Sequence, residues 1–161
     1  MQKARAVGLG VLGALAISAL SFALRAAAVP IGIENILGTM VGVPPSPTAF
    51  FVGLLMHLGI GAAFGFLYGW LFETVWVHGG AGMGMILSVL HAALIGMAVG
   101  LTPQFHPLIP EVMPAPGAYF SNLGVMGVIS FFAMHLLFGA IVGGGYGHVA
   151  EERQWAPEGR L

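Results

Sequence analysis

Long uncharged runs alternate along this chain with shorter segments broken by proline and glycine. Ala6 to Leu24 is nineteen uncharged, mostly apolar residues closed by Arg25, and Ala49 to Phe72 is twenty-four residues without a formal charge closed by Glu73. Ala81 to Leu101 and Leu123 to Val149 repeat the pattern. A helix needs roughly 20 apolar residues to cross a bilayer, so the pattern predicts an all-α fold with four transmembrane helices over about 6–28, 49–73, 81–101 and 122–149 within one domain, 1–161. A basic start before an apolar run also describes a signal peptide, but the apolar core of such a peptide is only about 7–15 residues, so the first run is read as a helix.

The segments between the runs predict the connections. Ala26 to Thr48 holds Pro30, Pro44, Pro45 and Pro47 with Gly32, Gly38 and Gly42, and Thr102 to Tyr119 holds Pro103, Pro107, Pro110, Pro114 and Pro116. Neither can be one continuous helix. Within the first, Ile33 to Met40 is expected to form one or two turns lying at the membrane interface, with Glu34 and Asn35 toward water. His78-Gly79-Gly80 is a tight connection, which makes its two flanking helices antiparallel neighbours. The polar tail from Glu151 to Leu161 is expected to fray.

Composition makes the setting sharper. The mean hydropathy is +0.94 and 7% of residues are charged, against about a quarter in soluble domains. The lipid bilayer is therefore the expected surrounding. Lys3, Arg5, Arg153 and Arg160 fall on one side of the four spans and only Arg25 on the other. The positive-inside rule then predicts a multi-pass protein of the inner (cytoplasmic) membrane, both termini cytoplasmic and the proline-rich loops outside. Trp70 and Trp76 stand where an interfacial aromatic belt is expected. A net charge of −1 gives no footprint for nucleic acid. With no cysteine the chain can form neither a disulfide nor a c-type haem attachment.

A fourteen-residue pattern, M-H-L-x-x-G-A-x-x-G-x-x-Y-G, occurs at Met56 to Gly69 and again 78 residues later at Met134 to Gly147. At the same offset Leu9, Val11, Leu12, Ala14 and Ile17 match Leu87, Val89, Leu90, Ala92 and Ile95, and one residue out of that offset both outer loops carry P-x-x-x-E, Pro30 to Glu34 and Pro107 to Glu111. The reading is an internal repeat: two tandem hairpins related by a pseudo-twofold along the membrane normal.

His57, His91 and His135 fall near the middle of three predicted helices. Charge at that depth costs about 2.5 kcal/mol or more, so the imidazoles are expected to be neutral and to face the bundle interior. Gly61, Gly65 and Tyr68 lie within about 80° of His57 around the helix, as do Gly139, Gly143 and Tyr146 of His135. This arrangement is open to three readings. The histidines bond across helix interfaces while the glycines pack; or His57 and His135 are axial ligands of a haem b, or all three hold zinc or copper; or they form a proton relay or transport path. Gly13 stands where the repeat would place a partner for His91, so any site is asymmetric.

Glu34, His106 and Glu111 are candidates for a metal-collecting or proton-accepting outer mouth, or simply for solvated loops. Glu73 and His148 are a candidate pair at the inner end. Ser18, Ser21, Ser88 and Ser130 are expected to bond to backbone, and Tyr68 and Tyr146 to serve packing or the belt. Catalytic motifs are missing, so a non-catalytic accessory or scaffold subunit, homo-oligomeric or within a larger membrane complex, stands beside a cofactor or metal protein. The paired M-H-L-x-x-G-A-x-x-G-x-x-Y-G segments and the stretch Ile36-Leu37-Gly38-Thr39-Met40-Val41-Gly42 resemble a family of uncharacterised small bacterial and archaeal membrane proteins. That resemblance implies four helices and supplies no established activity.

Overall fold

A computed structural model describes residues 1–75 and 79–154, the side chains of 148–154 excepted. Its elements are α1 (Lys3–Ala26), α2 (Ile33–Thr39), α3 (Pro47–Thr74), α4 (Ala81–Gly100), α5 (Thr102–Phe105), a 3₁₀ segment (Ala118–Leu123) and α6 (Gly124–Gln154). Four helical stretches, Lys3–Ala26, Pro47–Thr74, Ala81–Gly100 and Ala118–Gly147, are long and apolar enough to cross a membrane. No strand occurs among the described residues.

Local chemistry sets the ends of these helices. Ser46 caps α3, its hydroxyl accepting from Ala49 N–H at 3.1 Å, and Pro47 follows at the first helical position, where its missing N–H costs nothing. The last helix starts at Gly124, close to the start of the apolar run, and is preceded by a kink in which Tyr119 and Phe120 sit at φ of 56° and 60°. Left-handed backbone at two bulky residues is unfavourable. Packing compensates: Phe120 is buried, and the Tyr119 ring fills the space left by the missing side chain of Gly96 and stacks on Phe132 at 5.5 Å.

Packing between the helices is built on glycine. α1 lies along α3 and α4 along α6, while α1 also meets α6. A Cβ added at Gly10 would collide with the Gly61 carbonyl and come within 2.8 Å of Gly65 Cα; one at Gly84 would collide with the Gly139 carbonyl and come within 2.8 Å of Gly143 Cα. The paired backbones touch at these points. Any side chain there would force the helices apart. Gly13 in turn leaves room for the Phe138 ring, which seats α1 against α6.

The two ends of the bundle are tied differently. At the end holding Met1, Glu73 takes the amino group of Met1 at 2.8 Å and the Tyr146 hydroxyl, while Gln2 N–H donates to Tyr146 Oη at 3.1 Å. Tyr68 and Tyr146 are both fully buried, so packing rather than a belt accounts for them. Trp70 is exposed; Trp76 and the side chain of His148 lie outside the described residues.

At the opposite end α2 forms as expected but is not laid on the surface. Its Gly38 and the facing Gly53 of α3 let backbones meet, Gly38 against the Ala49 carbonyl and Gly53 against the Glu34 carbonyl. Glu34, expected toward water, is consequently 0% exposed. Arg25 makes that burial tolerable: its Nη1 donates to Glu34 Oε2 at 3.2 Å, to Ile31 O at 3.1 Å and to Ser21 Oγ at 3.0 Å. The guanidinium also lies 5.8 Å from the Phe22 ring and 5.6 Å from the Phe50 ring, within cation–π range.

The glycine contacts make a paired prediction. Gly143→Leu should destabilise the bundle by about 1–3 kcal/mol through overpacking against Gly84. Gly59→Ala, at a helical position where a Cβ meets nothing within 4 Å, should be neutral or stabilise by up to about 1 kcal/mol. Equilibrium unfolding of the purified protein in detergent measures both, and equal losses would show that the glycine rows do not govern the packing.

Candidate functional site

Between the α1–α3 pair and the α4–α6 pair lies a cavity of about 210 Å³. α1 contributes Ala14, Ile17 and Ser21 to its wall, α3 His57, Ile60, Gly61 and Phe64, α4 His91, Ile95, Ala98 and Val99, and α6 Phe131, Met134, His135 and Phe138. Ile33, Ile36 and Leu37 of α2 and Phe120 of the 3₁₀ segment also face it. The wall is almost wholly apolar. Its volume exceeds the roughly 150 Å³ of an engineered apolar cavity that takes benzene.

Each of the three mid-helix histidines spends Nδ1 on the protein. His57 Nδ1 lies 3.0 Å from Ser18 Oγ, His91 Nδ1 lies 3.3 Å from Tyr68 Oη, and His135 Nδ1 lies 2.8 Å from the Phe131 carbonyl one turn back. A carbonyl only accepts, so in His135 the proton sits on Nδ1. None of the three Nε2 atoms has a hydrogen-bond partner among the described residues. Aromatic neighbours hold the rings in place: His91 stacks on Phe64 at 3.7 Å between centroids and meets His135 edge-on at 5.0 Å, while His135 lies 4.3 Å from the Phe131 ring.

Ser18 and Tyr68 are partners of the histidines that reasoning from sequence assigns elsewhere, Ser18 to backbone bonding and Tyr68 to packing or the belt. Tyr68 does pack, yet its hydroxyl reaches His91 on another helix rather than His57 on its own. No sequence signal distinguishes these partners, because both contacts arise from how the helices are rotated against one another. Ser21 bonds to backbone as expected, donating to Ile31 O at 3.0 Å, and Ser88 donates to Met85 O at 2.7 Å.

The glycines beside the histidines do not form a slot. Gly61 and Gly65 are covered by α1 at Ala6, Gly10 and Ala14, and Gly139 and Gly143 by Gly80 just before α4 and by Gly84 and Ser88 within it. The glycine faces therefore offer no slot for a flat cofactor beside His57 or His135. Among the described residues no group of three or more His, Asp or Glu is placed to hold a metal ion.

Comparison with protein-family models, curated proteins and solved structures gives no match. The assignment of roles therefore rests on the geometry.

The expected outer mouth is dispersed. Glu111 is exposed, whereas Glu34 and His106 are buried and engaged separately. His106 Nδ1 accepts from Leu108 N–H at 3.1 Å, which leaves Nε2–H to donate to Ile36 O at 2.9 Å, with Thr39 Oγ1 at 3.2 Å. Both ring nitrogens are used. His106 thus ties the second proline-rich loop to α2 and has no lone pair left for a metal. In Glu34, Oε2 is paired to Arg25, and Oε1 is buried with no hydrogen-bond partner among the described residues.

Removing one partner of a buried ion pair typically costs about 3–5 kcal/mol because the other charge is left uncompensated. Arg25→Met should show a loss of that order in unfolding experiments, and Arg25→Met combined with Glu34→Gln should recover most of it. A double variant as unstable as the single one would mean that Arg25 acts through something other than Glu34.

Proposed function

We propose that this chain is an integral protein of the cytoplasmic membrane, with both termini cytoplasmic, that binds a small, largely apolar molecule between two tandem helical hairpins. The observation that carries the binding reading is the division of labour in the imidazoles. Nδ1 of His57, His91 and His135 is held by the protein, while their Nε2 atoms have no partner among the described residues and the rings line one apolar cavity. Polar groups at membrane depth are costly unless partnered, so three imidazoles left half-partnered at one cavity mark a place where a ligand completes the bonding. The three act together as one binding site, without catalysis.

Membrane insertion is supported by the lateral faces of the helices, where Phe22, Phe51, Leu55, Leu94, Val125 and Ile129 are exposed, a surface that water disfavours. The tandem-hairpin reading draws on the matching contacts of Gly10 with Gly61 and Gly65, and of Gly84 with Gly139 and Gly143. In that reading the first helices of the two halves align one turn away from the offset of 78 residues, Gly10 with Gly84. Ile17 then corresponds to His91. Both line the cavity, which accounts for the asymmetry of the site.

Two measurements test these statements. In right-side-out vesicles, a maleimide that does not cross the membrane should label Val41→Cys and leave Thr74→Cys unlabelled; the reverse pattern would invert the orientation, and equal labelling of both would overturn insertion. Toluene added to purified protein in nanodiscs should bind saturably by NMR, and Ile95→Trp, which fills the cavity, should abolish that binding. A stoichiometric haem band or tightly held metal in the same preparation would overturn the apolar-ligand reading.

A further inference from the structure

We infer that the molecule taken by the cavity is a phenol-class compound, a single apolar ring carrying a hydroxyl that donates to His135 Nε2. The inference rests on the binding reading above and deepens it. Its starting point is the contact between His135 Nδ1 and the Phe131 carbonyl at 2.8 Å. Because that carbonyl can only accept, Nδ1 carries the proton, and a neutral imidazole then has a bare lone pair at Nε2. Protonating Nε2 as well would place a full charge in an apolar wall. Flipping the ring would sacrifice the bond to Phe131 and disturb the contacts with Phe131 and His91.

His135 therefore asks for a donor. A molecule offering only carbonyl or ether oxygens leaves the lone pair unmet. Size and wall composition narrow the class further: about 210 Å³ has room for one substituted ring, judged against the benzene-binding cavity of about 150 Å³. The rings of Phe64, Phe120, Phe131 and Phe138 line the space and favour an aromatic guest, since aromatic pairs gain beyond simple burial.

Phenol, anisole and toluene separate these contributions, because they share a ring and only phenol can donate. Titrated into protein in nanodiscs and corrected for partition into empty nanodiscs, phenol should bind about fivefold to tenfold tighter than the other two, the worth of one buried hydrogen bond. His135→Phe should reduce phenol to the level of toluene while toluene binding persists. Equal affinities for the three compounds, or a phenol preference that survives His135→Phe, would overturn the donor inference and leave the apolar-cavity reading standing. If none of the three binds saturably, both fall. Nitrogen-15 NMR of the unaltered protein provides a check independent of any variant's folding: Nδ1 of His135 should be protonated and Nε2 bare, and a protonated Nε2 in the free protein would overturn the proposal.

Discussion

The close approach of backbones at glycine is the constraint on which the rest of the molecule depends. Where Gly10 meets Gly61 and Gly65, and Gly84 meets Gly139 and Gly143, no side chain separates the helices. Each of the pairs α1–α3 and α4–α6 is therefore drawn tight along one face, and its bulkier residues are directed elsewhere. Those residues, with the histidines among them, meet across the gap between the two pairs, where side chains rather than backbones make the contact. A cavity forms there because two tightly closed seams leave a third interface that rings and branched chains bridge without filling.

Polar chemistry is confined to the two ends and the middle. At one end Glu73 gathers the Met1 amino group and the Tyr146 hydroxyl, drawing α1, α3 and α6 together. At the other, Arg25 and Glu34 pair beneath α2, and His106 ties the second proline-rich loop to the same helix. An isolated surface ion pair is worth about 0–1 kcal/mol, but Glu34 is fully buried, so Arg25 matters chiefly as the group that prevents an uncompensated charge. Both loops are thereby fastened over that end of the cavity.

The histidine layer does not have the arrangement of a metal site. Ligation would need several ring nitrogens converging on one point, and among the described residues no such group of three is found. What the side chains present is a set of half-engaged imidazoles along an apolar wall. His135 is the most defined of them, since a backbone carbonyl within its own helix dictates which nitrogen holds the proton. His57 and His91 bond to hydroxyls of Ser18 and Tyr68, which can donate or accept, so these contacts do not fix their tautomers.

By itself the sequence determined the four long apolar helices, because unbroken uncharged runs and proline-rich interruptions act locally and need no partner to be read. It also picked out His57, His91 and His135, since an ionisable group in an apolar run stands out. Rotation and depth of contact were decided only by the tertiary structure. Glu34 was expected in water because its neighbours along the chain do not include Arg25 as a buried partner, nor Gly53 as the seat for α2. The glycines after each histidine suggested space for a flat cofactor, but the space beside a glycine belongs to whichever helix arrives there, and α1 and α4 fill it. His106 was open to a role at a mouth until the fold placed Ile36 O and Leu108 N–H on its two nitrogens. In each case the residue type was legible and the partner was not, because partners are chosen by how the elements pack and not by distance along the chain.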